Sequence, residues 1–257
     1  MRILMIGDVI GRPGRRAVRT LLPELRRKRS VDLVIANGEN AAGGIGLSLA
    51  TAEELFGCGV DVITSGNHIW HHKEIIPYLD GELPIIRPLN FPPGVPGRGH
   101  LVVGQVLLVN ILGRTFMGHY DCPFRAMDSL LEELEPDPPL VVVDVHGEAT
   151  SEKVALGFYL DGRVSAVFGT HTHVGTVDAR VLPKGTAYIS DVGMVGASLS
   201  VIGVEPESVV DRFLTMMPHR LPVGKGDLIF NSVLAEVDET SGKALAIERV
   251  DFEVKEQ

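Results

Sequence analysis

The sequence predicts an α/β fold built around largely parallel sheet, and three observations carry that expectation. Short runs rich in Val, Ile and Leu alternate with longer helical patterns, the order that βαβ units produce. The runs are continuously apolar, as strands buried on both faces are. Most of them stop at a turn holding Asp, Glu, Asn or His, at the edge where open α/β sheets bind ligands.

Arg2–Ile6, Asp32–Ala36, Val60–Thr64, Leu140–Val145 and Val164–Phe168 read as the buried strands. Helices are expected over Pro13–Arg29, Leu49–Cys58, His72–Leu79, Pro123–Glu135 and Ser151–Leu160. Pro13 and Pro123 suit a first helical turn, where a missing N–H costs nothing. Ser48 or Thr51 can cap the second helix, with Thr51-Ala52-Glu53-Glu54 forming a capping-box pattern. Leu101–Val103 and Val106–Ile111, joined near Gly104-Gln105, read as a hairpin. The stretch Arg87–Gly99 holds four prolines and three glycines, which forbid regular structure there. Beyond Gly175 the pattern turns strand-rich again, with Arg180–Leu182, Ala187–Ile189, Ile229–Val237 and Ala244–Val254. The last alternates apolar and polar residues, as a half-exposed antiparallel strand does. No repeat, low-complexity tract or linker interrupts this order, so a single domain over 1–257 with two sheets is expected.

Composition bounds the function. Of 257 residues, 45% are hydrophobic and 22% charged, enough for a full core. With 24 Lys and Arg against 33 Asp and Glu, the net charge is −9, a poor platform for stable binding of duplex nucleic acid. A small anion is compatible with that charge, because bound cations reverse the local field. Cys58 and Cys122 form no metal-ligand spacing and read as reduced thiols of a cytoplasmic protein. The apolar start Ile3–Ile6 ends at Gly7-Asp8, short of the ~7–15 apolar residues of a signal peptide or the ~20 of a membrane helix. No membrane partner is expected.

The chemistry collects at the strand ends. They carry Gly7-Asp8, Asn37-Gly38-Glu39-Asn40, Ser65-Gly66-Asn67-His68, Asp144-Val145-His146 and Gly169-Thr170-His171-Thr172-His173. Singly, an Asp or Asn after a strand is a turn residue or helix cap, and a His an ordinary surface or core residue. Together they place carboxylate, amide and imidazole groups on one rim. In extended chain His171 and His173 would project to the same side. The set lacks thiolate, which suits iron, manganese or zinc. A carboxylate among His, Asn and Asp groups suits a bridged metal pair about 3.5–4 Å apart. Two competing motifs fail. Gly7-Asp8-Val9-Ile10-Gly11 lacks the second glycine of a dinucleotide-binding turn, and no G-x-x-x-x-G-K-[ST] occurs.

At these residues the sequence resembles the calcineurin-like dinuclear metallophosphoesterases, whose motifs run GDxH, GD, GNH, H and GHxH. It departs from them at Val9-Ile10, at Gly38-Glu39-Asn40 and at Gly169–His173. That variant looks like the YmdB-like bacterial branch, with Asn37–Gly44 and Ser190-Asp191-Val192-Gly193-Met194 included in a similarity covering nearly the whole chain. The resemblance implies a four-layer α/β/β/α sandwich and two metal ions, iron first, with manganese or zinc as alternatives. It implies that Asp8, Glu39, Asn40 and His173 hold one metal, and that Glu39, Asn67, His146 and His171 hold the other, with Glu39 bridging. Asn40 would replace the histidine whose place Ile10 takes.

The expected activity is hydrolysis of cyclic nucleotides, 2′,3′-cyclic AMP above all, by a metal-bridging hydroxide attacking phosphorus, with His68 stabilising or protonating the departing ribose oxygen. The alternatives are a phosphomonoesterase or phosphoprotein phosphatase using the same site, and a regulatory protein that binds a cyclic nucleotide or partner with negligible turnover. His71 and His72 read either as solvated first-turn residues or as substrate contacts. The expected partner is a small phosphoester, with a second copy of the chain as a further candidate. Aromatic residues are only 5% of the chain and Trp70 alone adjoins a motif, so little preference for the base is expected.

Overall fold

The computed structural model describes residues 1–134 and 140–255, which places Glu135, the expected end of one helix, outside the described residues. The first sheet runs Ala244–Arg249 (β14), Ser232–Val237 (β13), Arg2–Ile6 (β1), Leu33–Asn37 (β3) and Val62–Thr64 (β4) from edge to edge. β1, β3 and β4 are parallel, while β13 and β14 are antiparallel. The second runs His100–Val103 (β5), Val106–Leu112 (β6), Leu140–His146 (β7), Ala166–Thr170 (β8), Ala187–Ile189 (β10) and Arg180–Val181 (β9). Its four central strands are parallel.

The helices are Gly11–Lys28 (α1), Leu49–Gly57 (α2), Ile76–Leu79 (α3), Pro123–Glu133 (α4), Thr150–Leu160 (α5) and Pro206–Thr215 (α6). Strand periodicity sorts the core into layers. In β1, Leu4 and Ile6 pack toward Val18 and Leu22 of α1, whereas Ile3 and Met5 pack toward the second sheet. In β7, Leu140 and Val142 meet that same inter-sheet core, while Val141, Val143 and Val145 face Met127 of α4 and Leu156 of α5. The result is the expected α/β/β/α sandwich.

The expectation of two sheets is corrected. A third, small sheet contains Phe252–Val254 (β15), Leu228–Phe230 (β12), Met194–Ala197 (β11) and Asp8–Val9 (β2). The segments read as single strands, Ile229–Val237 and Ala244–Val254, each leave one sheet and enter another, at Asn231 and at Val250-Asp251. Gly7 marks the corresponding switch from β1 to β2. Its N–H donates to the Asn231 carbonyl at 3.1 Å, and a Cβ there would lie 1.9 Å from the Gly193 oxygen. Other differences are local. Ser48, not Thr51, caps α2, in a reciprocal pair with Thr51. The helix expected over His72–Leu79 is a 3₁₀ turn, Lys73–Ile75, followed by a single α turn that includes Pro77. α6 went unread.

One buried ion pair ties α5 to the ends of β8 and β10. Lys153 Nζ donates to Asp191 Oδ2 at 2.8 Å and to the Thr170 carbonyl at 3.2 Å, both side chains being at most 2% exposed. The same Oδ2 accepts from Thr172 N and Thr172 Oγ1, and Oδ1 accepts from Gly193 N. Every oxygen of Asp191 is therefore occupied in positioning backbone. Asp191→Asn should leave the Lys153 ammonium buried without its counter-charge, at a cost of roughly 3–5 kcal/mol. Thermal unfolding should shift down on the order of 10 °C. A midpoint unchanged within about a degree would show that the pair does not hold this junction.

Candidate metal centre

Both sheets open their carboxyl ends toward one seam, and the polar strand ends meet there. The expectation of a rim on one sheet is thus corrected: Asp8 opens β2 just beyond β1, Glu39, Asn40 and Asn67 follow β3 and β4, and β7 and the turn after β8 of the other sheet supply His146, His171 and His173. Asp8, Glu39 and His146 are buried to within 1% of completely.

The contacts fall into two groups. In the first, His173 Nε2 lies 3.6 Å from Asp8 Oδ1 and 3.1 Å from Asn40 Nδ2. In the second, His146 Nε2 lies 2.5 Å from Glu39 Oε2 and 3.0 Å from His171 Nδ1. Glu39, His146 and His171 each bring one ligand atom within 4.8 Å of the others. Asn67 adds a side-chain oxygen that is buried without a hydrogen-bond partner, as is Asp8 Oδ1, while Glu39 Oε2 is met only by His146. Buried acceptors left unsatisfied cost free energy unless something electropositive meets them. A Cβ on Gly66 would sit 2.3 Å from His146 Nε2 and 2.6 Å from Glu39 Oε1, so the absence of a side chain there keeps the second group open. The residues fit a cation in each group.

Neighbouring residues set the imidazole lone pairs. Thr170 Oγ1 donates to Asp144 Oδ1 at 2.7 Å, so it accepts from His146 Nδ1–H at 2.9 Å and leaves Nε2 facing the site. His173 Nδ1–H donates to the Ile202 carbonyl at 2.8 Å, again freeing Nε2. His171 Nε2 faces Glu148 Oε2 at 3.3 Å, which leaves Nδ1 to the site. Asn37 donates to Asp144 Oδ2 at 3.1 Å. Asp144, Thr170 and Asn37 entered the strand-end motifs only as neighbours of the candidate ligands, and their support of the imidazoles went unread.

The route to convergence of the two histidines is also corrected. β8 ends at Thr170, and His171 and His173 have φ of 95° and 65°. They do not share an extended strand. Left-handed backbone at non-glycine residues costs of order 1–3 kcal/mol each and persists only where the surroundings enforce it. Here His171 N donates to Asp8 Oδ2 at 3.1 Å, and Asp191 grips Thr172 between the two histidines.

His68 follows Asn67 into the cleft. Its N–H donates to Glu39 Oε1 at 2.5 Å, its Nε2 accepts from Asn67 Nδ2 at 3.1 Å, and its Nδ1 is buried without a partner. Burial pushes its pKa below the usual 6.5, aided by neighbouring histidines and opposed by Glu39. His72 Nε2 reaches the Ala42 and Ile45 carbonyls at 3.3 and 3.0 Å, so it fixes the 40–46 loop. Ile10 is core, packed where a Cβ on Gly203 would collide with it. Trp70 is not isolated, contrary to expectation: it stacks on Phe91 at 4.7 Å, and Phe91 lies 5.4 Å from Tyr120.

The acid–base balance of the site is that of a place for cations. Burial alone would lower the His146 pKa, but Glu39, Asp8 and Asp144 outweigh it and hold it at about 9. Burial would likewise raise Glu39, but His146 and His68 draw it down to about 2. Burial and the charge of His146 push His171 down to about 3. The His146 proton thus occupies the position that a metal requires. Metal binding must release it, so affinity should fall about tenfold for each pH unit below about 9. Calorimetric titration with Mn²⁺ from pH 6.5 to 8.5 in buffers of different ionisation enthalpy tests this. Flat affinity without proton release would contradict it.

Comparison with known proteins finds relatives along nearly the whole chain. Residues 4–250 match the model of the YmdB-like protein family. A 2′,3′-cyclic-nucleotide 2′-phosphodiesterase of Bacillus subtilis (strain 168) is 46% identical, the match covering 97% of this chain and 96% of that one. The crystal structure of a hypothetical protein from Thermus thermophilus superposes with a TM-score of 0.92 at 50% identity, covering 99% and 100% of the two chains. That of a novel phosphatase from Mycoplasma pneumoniae gives 0.92 at 36% identity, covering 99% and 94%.

Proposed function

We propose that this chain, which belongs to the YmdB-like family, is a metal-dependent phosphodiesterase acting on cyclic nucleotides, with 2′,3′-cyclic AMP as the favoured substrate. That it is a hydrolase of phosphoester bonds follows from its relatives. The observation that carries the finer reading is the pair of contact groups at the seam: Asp8, Asn40 and His173 in one, and Glu39, His146, His171 and Asn67 in the other, with unsatisfied carboxylate and amide oxygens aimed inward. Two metal ions, iron first and manganese or zinc as alternatives, would be held there with Glu39 between them. When bound, such ions lower the pKa of water and offset the charge that develops on phosphate.

The chain's own residues supply the rest. Glu39, fully ionised at neutral pH, contributes fixed negative charge between the groups. Asp8 and Asp191 set the turn that aims His171 and His173. His68 accepts from Asn67 at Nε2, so its proton sits on Nδ1, and its depressed pKa makes it a neutral donor toward a leaving oxygen. In the net reaction the water oxygen bonds to phosphorus, the P–O2′ bond breaks, and O2′ takes a proton to leave a 3′-phosphate. A monoesterase reading is kept in play by the Mycoplasma phosphatase, and a panel of mono- and diesters decides between them. The full donor set argues against a binder without turnover.

The rest of the reading is a single cytoplasmic domain over 1–257. Residues from both ends of the chain, Ile3 and Ala244, share the inter-sheet core, and both cysteines are free thiols. Val210, Phe213 and Leu214 of α6 are half or more exposed, an apolar face that a second copy would cover.

Two substitutions test the chemistry. Glu39→Gln should fold, with unchanged circular dichroism, but lose bound metal and activity, because a neutral amide cannot hold two cations together. Normal turnover by this variant would end the dinuclear reading. His68→Ala should keep its metal and lose about 10²–10³ in kcat on 2′,3′-cyclic AMP. The deficit should shrink on bis-p-nitrophenyl phosphate, whose leaving group needs no donor. Metal loss with an equal deficit on both substrates would make His68 a ligand instead.

A further inference from the structure

Beside the metal centre lies a cleft of about 510 Å³ whose charged lining is wholly cationic: Arg12, Arg16, Arg19 and Lys225, with no carboxylate among its walls. On a chain of net charge −9 this is a local reversal of sign. Arg19 is paired with Glu54 at 3.1 Å, and Arg16 donates to the Gly226 carbonyl at 3.5 Å. Arg12 and Lys225 are exposed and have no ion pair among the described residues, so their charge is available to a ligand. The cleft also lies at the start of α1, an 18-residue helix with no side-chain cap and no acidic residue in its first turn, which leaves the positive end of its dipole uncompensated.

The cleft and the metal centre share a loop. Asn40 faces His173, while Gly43, three residues on, lines the cleft, a span of at most about 11 Å. Gly11 N donates to the Asn40 carbonyl at 2.9 Å and locks the helix start to that loop. Gly44 (φ 100°) lets Val223 approach, since a Cβ there would lie 2.8 Å from its Cγ2. The cleft and the candidate metal centre are therefore neighbours on one braced loop.

We propose that this cleft binds the phosphodiester backbone of a single-stranded RNA whose 3′ end carries a 2′,3′-cyclic phosphate, so that the substrate class includes oligonucleotide termini as well as mononucleotides. This rests on the phosphodiesterase reading and names the substrate class of the same site. In such a strand the terminal nucleoside carries its next phosphate on O5′, on the side of the sugar away from the cyclic ester. Hydrolysis opens only the terminal P–O2′ bond and leaves the upstream diesters intact.

The test compares metal-loaded protein on 2′,3′-cyclic AMP and on a pentaribonucleotide ending in a 2′,3′-cyclic phosphate, at about 50 and 200 mM salt. Wild type should show a kcat/KM about tenfold or more higher for the pentamer at low salt. The double variant Arg12→Ala/Lys225→Ala should lose that advantage while keeping its rate on the mononucleotide. A readout free of turnover is the fluorescence anisotropy of a labelled pentamer with a 3′-phosphate. Two lost phosphate contacts should reduce the slope of log affinity against log salt by about 1.4. Equal kcat/KM on the two substrates in wild type, or an undiminished advantage in the variant, would overturn the cleft and leave mononucleotide hydrolysis standing. Failure on both substrates with metal verified as bound would remove the phosphodiesterase reading and the cleft with it.

Discussion

Four carboxylates, Asp8, Glu39, Asp144 and Asp191, sit at the seam between two sheets with at most 2% of each exposed. Taking such groups out of water costs several kcal/mol apiece unless charge or hydrogen bonds replace the hydration. The rest of the architecture follows from how each is answered. Asp191 meets Lys153, and Asp144 accepts from Thr170 and Asn37. Asp8 and Glu39 have only imidazoles and backbone amides as partners, and Asp8 Oδ1 has no hydrogen bond at all. Two answered carboxylates build the frame, and two unanswered ones define what the frame is for.

The answered pair acts on the unanswered one through backbone. Asp191 draws Thr172 N and Oγ1 toward itself, which holds the flanking His171 and His173 in left-handed conformations they would not otherwise keep. Asp144, through Thr170, fixes which nitrogen of His146 carries its proton. Arg249, at the end of β14, adds a further brace by donating to the Thr176 and Val192 carbonyls. Strain at the ligands is thus sustained by burial and ion pairing a layer behind them, where folding stability comes from.

This division explains what could be read in the sequence. The candidate ligands sit at strand ends or just beyond them, so hydrophobic runs and polar stops exposed them together, whereas the four-layer order came from the family resemblance. The third sheet escaped because Gly7, Asn231 and Val250 change sheets without breaking a strand's alternation. A residue count cannot show that a strand has changed its partner. The geometry of His171 and His173 escaped because spacing of two is the signature of extended chain, and nothing local in Gly-Thr-His-Thr-His announces positive φ. Lys153 escaped as an ordinary polar position of a helix, since its counter-charge lies 38 residues away. The cationic cleft draws Lys225 from a segment some two hundred residues beyond Arg12, a juxtaposition that only folding creates.

The distribution of charge also reconciles an acidic protein with an anionic substrate. On the proposed reading the buried carboxylates disfavour phosphate, so cations would have to fill the site before a phosphoester is favoured there. Once filled, its sign is reversed within a low-dielectric seam where the field is little screened. Arg12 and Lys225 lie outside that seam in solvent, where their influence is screened over about 8–10 Å at ordinary ionic strength. In the proposed complex they would steer and align a long anion, and they are too weakly coupled to the buried carboxylates to stand in for metals. Affinity for the cation and for the substrate's distant phosphates is thereby assigned to different residues. A change in the cleft can alter which phosphoester is preferred without altering the chemistry at the seam.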